Sequence, residues 1–304
     1  MKKYDVLIIG AGPCGISASI SLKKDNINVA IIEKSMPGGK INIAPRVDNY
    51  PKHEPIIGPD LAMEFFMRMN DAGVEMIGDE IINVTKLDDG FSLKGKYDQY
   101  ECKALLVASG TRERHLGFPR EEELLGKGVS YCALCDGHFF KDKPVASIGS
   151  EYETLKESQY LSEICSKVYL VSEDPTFSNR TFELNKVKNK DNVEILTPYR
   201  VKEVLATDKV IGIIVENIDT KETRKLDIDG LFPLIGQDPN VEFLHFDNIK
   251  NETNNLNHDK NMMSDIPGLF VGGDVTPRHL RQIYVAEHDG MVAAESIKRY
   301  LNEK

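Results

Sequence analysis

The chain lacks most of what would tie it to a membrane, a nucleic acid or the outside of a cell. None of its apolar runs reaches the roughly 18 residues that a membrane span needs. Basic residues are in deficit, 38 Lys and Arg against 48 Asp and Glu, which leaves a net charge of −10. General nucleic-acid binding rests on clustered basic side chains, so it is not expected. The N-terminal Met1-Lys2-Lys3 leads into VLIIG, too short for the apolar core of a secretory signal, and the expected location is the cytoplasm. Cysteine is scarce, five residues in 304, which excludes an extracellular disulfide framework. No low-complexity linker interrupts the chain.

What remains is a globular composition, 41% hydrophobic and 28% charged, at a length that suits about two domains. Residues 4–10 (YDVLIIG) read as a buried parallel strand, 14–24 as a helix and 27–33 as a second strand: a βαβ unit. Residues 60–72 read as a helix. Residues 80–102 alternate around the turn Asp88-Asp89-Gly90 and suggest an antiparallel meander. LLVASG (105–110) is a further buried strand. At 144 the pattern restarts, with strand PVASIG, helix 151–164 and strand 167–171. A second meander covers about 199–230, then come GLFPLIG (230–236), GLFVGGD (268–274) and a long amphipathic helix over 281–302. The expected fold is α/β, with two Rossmann-like, three-layer ββα domains of nucleotide-binding type. The first, discontinuous, takes residues 1–113 and 243–304; the inserted one takes 114–242.

GAGPCG (10–15) supplies Gly10, Gly12 and Gly15 in the spacing G-x-G-x-x-G. It follows a strand, opens a helix and precedes Glu33 at the end of the next strand. In that context the glycines allow a pyrophosphate to approach the helix start, and Glu33 can accept hydrogen bonds from a ribose. The spacing does not separate FAD from NAD. Asp274, read alone, fits a helix cap as well as a ligand for a hydroxyl-rich chain.

YCALCDGHFF (131–140) holds Cys132, Cys135 and Asp136. A cytosolic C-x-x-C is a redox pair or half a metal site. Structural zinc would want two more Cys or His at matching spacing, which are missing, so no metal is expected. Asp136 is placed to move a proton between thiol and thiolate. The other three cysteines lie in apolar surroundings and read as small core residues.

With these motifs, and with GGK (38–40), DNYP (48–51), ASGTRERHLGFP (108–119), GLFPLIGQDPN (230–240) and RQIYVAEHDGMVAA (281–294), nearly the whole chain resembles the low-molecular-weight, thioredoxin-reductase-like flavoproteins. The resemblance implies a homodimer that binds FAD in the discontinuous domain and reduces thioredoxin. It implies FAD contacts at Gly10, Gly12, Pro13, Gly15, Glu33, Lys34, Gly39, Lys40, Asn49, Gly110, Gly273, Asp274, Arg281, Gln282 and Ile283. Lys40 stands where the family has glutamine. Cys135 is implied to face the flavin, Cys132 to attack the substrate disulfide, and Asp136 to act as general acid and base.

The second βαβ turn departs from that family. Where relatives read G-G-G-x-x-A for NADPH, residues 149–154 read GSEYET. Glu151 sets a carboxylate where a phosphate would lie, a repulsion of roughly 1–4 kcal/mol at about 4 Å. The basic residues that hold the 2′-phosphate are replaced by Ser172-Glu173-Asp174, and a later Arg by Ser178. The sequence thus resembles the ferredoxin-dependent branch, which lacks NADPH motifs. Plant-type ferredoxin near about −400 mV and thioredoxin near about −270 mV leave roughly 6 kcal/mol for two electrons. Arg112, Arg114, His115, Arg120, Arg278, His279 and Arg281 are candidates to meet an acidic ferredoxin. An oxygen-dependent dithiol oxidase, an atypical NAD(P)H-linked reductase and a non-catalytic flavin sensor remain as alternatives.

Overall fold

The computed structural model describes residues 2–44, 47, 49–51, 53–246, 248–277 and 280–303. They divide into two compact units, Met1–Arg112 with Asp238–Lys304, and Glu113–Gln237.

In the first unit, β1 (Lys2–Ile9) is buried from Val6 onward, as a strand covered on both faces must be. The chain turns at Gly10 into α1 (Pro13–Lys24) and returns as β2 (Val29–Glu33), parallel to β1 with Val6 opposite Val29. Pro13 opens α1, where its missing N–H leaves no bond unmade. In α2 (Gly58–Asp71), Leu61, Ala62, Phe65 and Met69 face inward, the spacing of one helical stripe. β3 (Glu75–Gly78) adds a parallel edge strand beside β2. Then come β4 (Ile81–Leu87), β5 (Gly90–Gly95) and β6 (Gln99–Val107). The expected meander and the expected strand at 105 turn out to share one strand. The first half of β6 pairs antiparallel with β5, while β6 pairs parallel with β1 along most of its length. Tyr100 and Cys102 alternate inward and Ala104–Val107 are fully buried, so both patterns are halves of one central strand. The sheet order is β3-β2-β1-β6-β5-β4.

Through β7 (Thr111–Glu113) the chain enters the second unit. Its elements are α3 (Ala133–Asp136), β8 (Pro144–Ile148), α4 (Tyr152–Ile164), β9 (Lys167–Val171), α5 (Thr181–Lys188) and β10 (Val193–Leu196). The meander follows as β11 (Tyr199–Ala206), β12 (Val210–Asn217) and β13 (Thr223–Leu226), a separate antiparallel sheet. β14 (Gly230–Pro233) then joins a parallel sheet of order β10-β9-β8-β14. α5 and β10 were not expected. Val187 is the only buried residue of α5, and β10 is four residues long, so neither carries a readable apolar period.

β15 (Gln237–Pro239) pairs with β7, and the chain re-enters the first unit. The crossing falls at 237–238 rather than at the expected 242–243, because Val241 and Leu244 belong to the first unit's core with Val84 and Phe91. β16 (Leu269–Val271) lies parallel beside β6, and α6 (Ile283–Asn302) closes the chain against α1. That contact is close: a Cβ on Gly290 would lie 2.2 Å from the carbonyl oxygen of Cys14. The result is a mixed α/β fold with two Rossmann-like sheets.

Candidate active site

The turn after β1 is built for a phosphate group. Gly10 has φ +102°, and a Cβ there would meet the Ala108 carbonyl oxygen at 2.4 Å. A Cβ on Gly15 would sit 2.0 Å from the Gly10 carbonyl oxygen, so α1 can approach the strand only with glycine there. Gly12 is the N-cap of α1; it has no capping side chain, and no heavy atom stands within 4 Å of where its Cβ would be. A helix start with no side-chain cap and room over its N-cap is the arrangement that takes an anion. At the end of β2, Glu33 accepts the Ala11 N–H at 2.8 Å through Oε2 and the Ser35 N–H at 2.9 Å through Oε1. A cavity of about 290 Å³ opens there, lined by Gly10, Glu33, Lys34, Ser109 and Asn240 among others. Lys34 Nζ meets Glu80 at 3.5 Å.

Segments distant in sequence converge on this turn. The Gly38 N–H donates to the Ala11 carbonyl at 2.7 Å, and a Cβ on Gly39 would stand 3.5 Å from Gly12 Cα. Lys40 follows in the short helical turn Gly39–Ile43. Asn49 Nδ2 donates to Gln282 Oε1 at 2.5 Å across 233 residues, and Ile283 begins α6 beside it. Gly110 (φ +65°) accepts the Asn240 N–H at 2.9 Å. Gly273 (φ +75°) packs on Cys14 of α1 and precedes Asp274 in the turn Gly273–Val275. The Gly273 N–H donates at 3.0 Å to Asp289, a wholly buried carboxylate that sequence reading missed. Arg281 is partly buried next to Gln282. Every expected cofactor residue thus lies in the first unit. The uncapped helix start, the space over Gly12 and the acid ending β2 fit a dinucleotide.

The dithiol group lies in the second unit. Cys132 and Cys135 form a disulfide with their Cα atoms 5.3 Å apart. Cys132 is the N-cap of α3, and its Sγ accepts the Cys135 N–H at 3.1 Å. Ser130 ties the cluster together: its hydroxyl donates to Asp136 Oδ2 at 2.6 Å and accepts the Cys132 N–H at 3.2 Å. Tyr131 donates to Glu121 at 2.6 Å, and Glu121, buried, also accepts the N–H groups of Leu116 and Gly117. Burial first, and then the Glu121 carboxylate, push the Tyr131 phenol well above its usual range. Beneath α3, Glu157 of α4 accepts the Ala133 N–H at 2.5 Å. Ser130, Glu121 and Glu157 were not singled out from the sequence. The remaining thiols, Cys14, Cys102 and Cys165, are buried. Burial pushes Cys102 up to about 12 and Cys165 up to about 11, which suits core residues rather than nucleophiles.

The turn after β8 keeps the outline of the first and none of its opening. Gly149 has φ +136° and lies against the Leu234 carbonyl. Thr154, at the third glycine position, donates its hydroxyl to that same carbonyl at 2.7 Å. Glu151 is the N-cap of α4, and its carboxylate is not bare, as the sequence suggested. It pairs with Arg180 at 3.2 Å, and the Arg180 guanidinium lies 5.9 Å from the Tyr152 ring centroid. After β9, Ser172 accepts the Asp174 N–H, and Asp174 accepts the N–H and hydroxyl of Thr176. An acidic, internally bonded loop thus occupies the place of a basic clamp.

Three of the arginines proposed for docking, Arg112, Arg114 and Arg120, have partners within their own units. Arg112 pairs with Glu242 at 2.5 Å, Arg114 donates to the Ile235 carbonyl, and Arg120 pairs with Glu123 at 2.9 Å. His115 stacks on Tyr131. Asp48, Arg278, His279 and the side chain of Ser178 lie outside the described residues.

Known proteins share this layout. The pyridine nucleotide-disulphide oxidoreductase family matches residues 4–290. The thioredoxin reductase of Mycoplasma pneumoniae is 36% identical over 300 residues, which cover 98% of this chain and 95% of that one. The crystal structure of Lactococcus lactis thioredoxin reductase superposes with TM-score 0.78 at 29% identity, covering 99% of this chain and 100% of that one. A ferredoxin-flavin thioredoxin reductase from Clostridium acetobutylicum superposes with TM-score 0.56 at 28% identity, covering 100% and 99%. With a disulfide at the C-x-x-C and a G-x-G-x-x-G turn after β1, this protein belongs to the pyridine nucleotide-disulphide oxidoreductase family, as a disulfide oxidoreductase of the thioredoxin reductase type whose cofactor is FAD.

Proposed function

We propose that this enzyme reduces a thioredoxin disulfide through Cys132 and Cys135, with electrons supplied by reduced ferredoxin rather than NADPH. The observation that carries the choice of donor is the closed turn of the second unit. A dinucleotide phosphate there would have to part Glu151 from Arg180 and then meet Glu173 and Asp174. A ferredoxin-flavin thioredoxin reductase has the same fold over the whole chain, so the architecture is compatible with this donor. Thioredoxin as substrate follows from relatives such as the Mycoplasma pneumoniae enzyme, and the family resemblance adds a cytoplasmic homodimer.

In this reading the bound cofactor would supply a flavin able to accept single electrons and deliver a pair. Gly10, Gly12, Pro13 and Gly15 would hold its pyrophosphate, and Glu33 and Lys34 its adenosine end. Gly39, Lys40, Asn49, Gly110, Gly273, Asp274, Arg281, Gln282 and Ile283 would hold the remainder. The reduced dithiol then works by exchange. Cys132 sulfur attacks the thioredoxin disulfide and one thioredoxin sulfur leaves. Cys135 attacks Cys132 in the mixed disulfide, restoring the 132–135 bond and releasing the second thioredoxin sulfur. Asp136, held by Ser130, relays protons from the dithiol group to the leaving sulfurs.

An anaerobic titration tests the donor. Reduced ferredoxin should bleach the flavin absorbance, and NADPH or NADH should leave it unchanged. Rapid bleaching by micromolar NADPH would overturn the proposal. Bleaching by small dithiols alone, with reoxidation by air and no thioredoxin turnover, would replace it with a dithiol oxidase. Cys132→Ser should abolish thioredoxin reduction and keep flavin reduction.

A further inference from the structure

Glu157 is the one carboxylate beside the dithiol that the exchange chemistry leaves idle. It belongs to α4, yet its Oε2 takes the N–H of Ala133, the first residue of α3 and the neighbour of Cys132. The short turn that bears the cysteines therefore has two acceptors on its N–H groups: Cys132 Sγ on the N–H of Cys135, and Glu157 on that of Ala133. Such N–H groups are what steadies a thiolate at a helix start. The Glu157 side chain keeps some contact with solvent, but desolvation of its carboxylate dominates and raises it to about 7. The Ala133 N–H opposes that rise, Glu113 and Glu153 add to it, and Lys156 opposes it. The titratable groups on α3 and its cap are the two cysteines and Asp136, the last tied to Ser130.

We propose that Glu157 is a positioning residue that holds a proton for the dithiol, so that its charge decides how readily Cys132 becomes a thiolate. The inference rests on the dithiol being the redox centre and is independent of which donor feeds it. In the oxidised enzyme, ionised Glu157 bonds the Ala133 N–H. Two electrons break the S–S bond, and the new charge arises one peptide unit from that carboxylate. Two like charges so placed do not both persist, and one takes a proton. With two protons taken up, the products are a Cys135 thiol, a Cys132 thiolate and a protonated Glu157; the net charge matches that of disulfide, carboxylate, two electrons and two protons. When Cys132 and Cys135 reduce the substrate disulfide, the protons of Cys135 and Glu157 leave with the two product thiols.

The test compares wild-type holoenzyme with Glu157→Gln, whose amide oxygen still accepts the Ala133 N–H but carries no charge. Both are reduced anaerobically with dithiothreitol, freed of it and alkylated with iodoacetamide from pH 5 to 9, with Cys132 labelling read by peptide mass. The wild-type profile should bend near pH 7. The two should label alike at pH 6, where Glu157 carries its proton; in Glu157→Gln the bend should be lost and labelling above pH 7 should be up to about tenfold faster, the equivalent of about one pH unit. Superimposable profiles overturn the proposal. A second reading needs no variant: the infrared difference between reduced and oxidised wild type at pH 7.5 should show one protonated carboxyl gained, and its absence overturns the proposal equally. A wild type in which reduction leaves Cys132 unlabelled overturns the redox-centre reading together with this one.

Discussion

Ser130 shows how much of a reactive cluster rests on a residue with no chemistry of its own. Its hydroxyl holds Asp136 at 2.6 Å while its oxygen receives the Cys132 N–H, so acid and nucleophile share one anchor. A hydrogen bond to a charged group contributes about 1.5–3 kcal/mol. Ser130→Ala should therefore lower thioredoxin turnover at least about tenfold and move its pH profile, with flavin content unchanged and Ser130→Thr restoring most of the rate. Steady-state rates over pH 6–9 decide it; coincident profiles for Ser130→Ala and wild type would remove the role. Cys132, Cys135 and Asp136 were legible in the sequence because spacing and residue type together name a chemistry. Ser130, Glu121 and Glu157 were not, because a lone serine or glutamate has no spacing that marks it. Their partners lie on other elements, as Glu157 does on α4 and the residue it binds on α3. Asn49 and Gln282 were named only through the resemblance, and the hydrogen bond across 233 residues gives them a physical reason to be near one another.

Two elements of the same design, α1 and α4, show how a turn becomes open or closed. At the start of α1 glycine leaves room; at the start of α4 Glu151 pairs with Arg180 instead. The sequence revealed the missing glycines and not the ion pair, because Arg180 lies 29 residues from Glu151 in a segment whose fold was not expected. Glu151→Gly alone frees Arg180 but leaves the acidic loop, so NADPH should still fail to bleach the flavin. The triple variant Glu151→Gly, Glu173→Arg, Asp174→Arg restores both halves of a phosphate site, and measurable bleaching by NADPH is expected there first. Equal silence from the triple variant would show that the closure lies elsewhere in the unit. The β4–β6 meander hangs on a different element-scale device. Asp79 is buried and takes N–H groups of Glu80, Lys96, Tyr97 and Asp98 with the Tyr100 hydroxyl. Burial pushes its carboxyl up, but the bonds from Tyr100 and the backbone together outweigh it and hold the group below the usual carboxylate range. A depressed acid stabilises the fold above its unfolded pKa and ceases to do so as pH falls through its folded value. Asp79→Asn should thus cost about 2 kcal/mol or more in urea unfolding at pH 7, and the gap should narrow only below about pH 4. A gap that is constant with pH would show that charge is not the cause.

For the whole molecule, the class and the repeat of design were legible, because buried parallel strands ending in glycine write themselves as apolar runs. The join of meander and central strand in β6 was not, since one strand changes its surroundings halfway along. Nor was the second crossing point, which depends on where Val241 and Leu244 find a core. The first unit is assembled from two separate stretches of the chain, and its GAGPCG turn is packed from behind by α6: Gly290 of α6 lies against Cys14, and Asp289 holds the Gly273 N–H. During synthesis the ribosome delivers residues 113–237 complete while the GAGPCG turn still lacks α6. The second unit can therefore close its core before the helix that packs behind that turn has emerged.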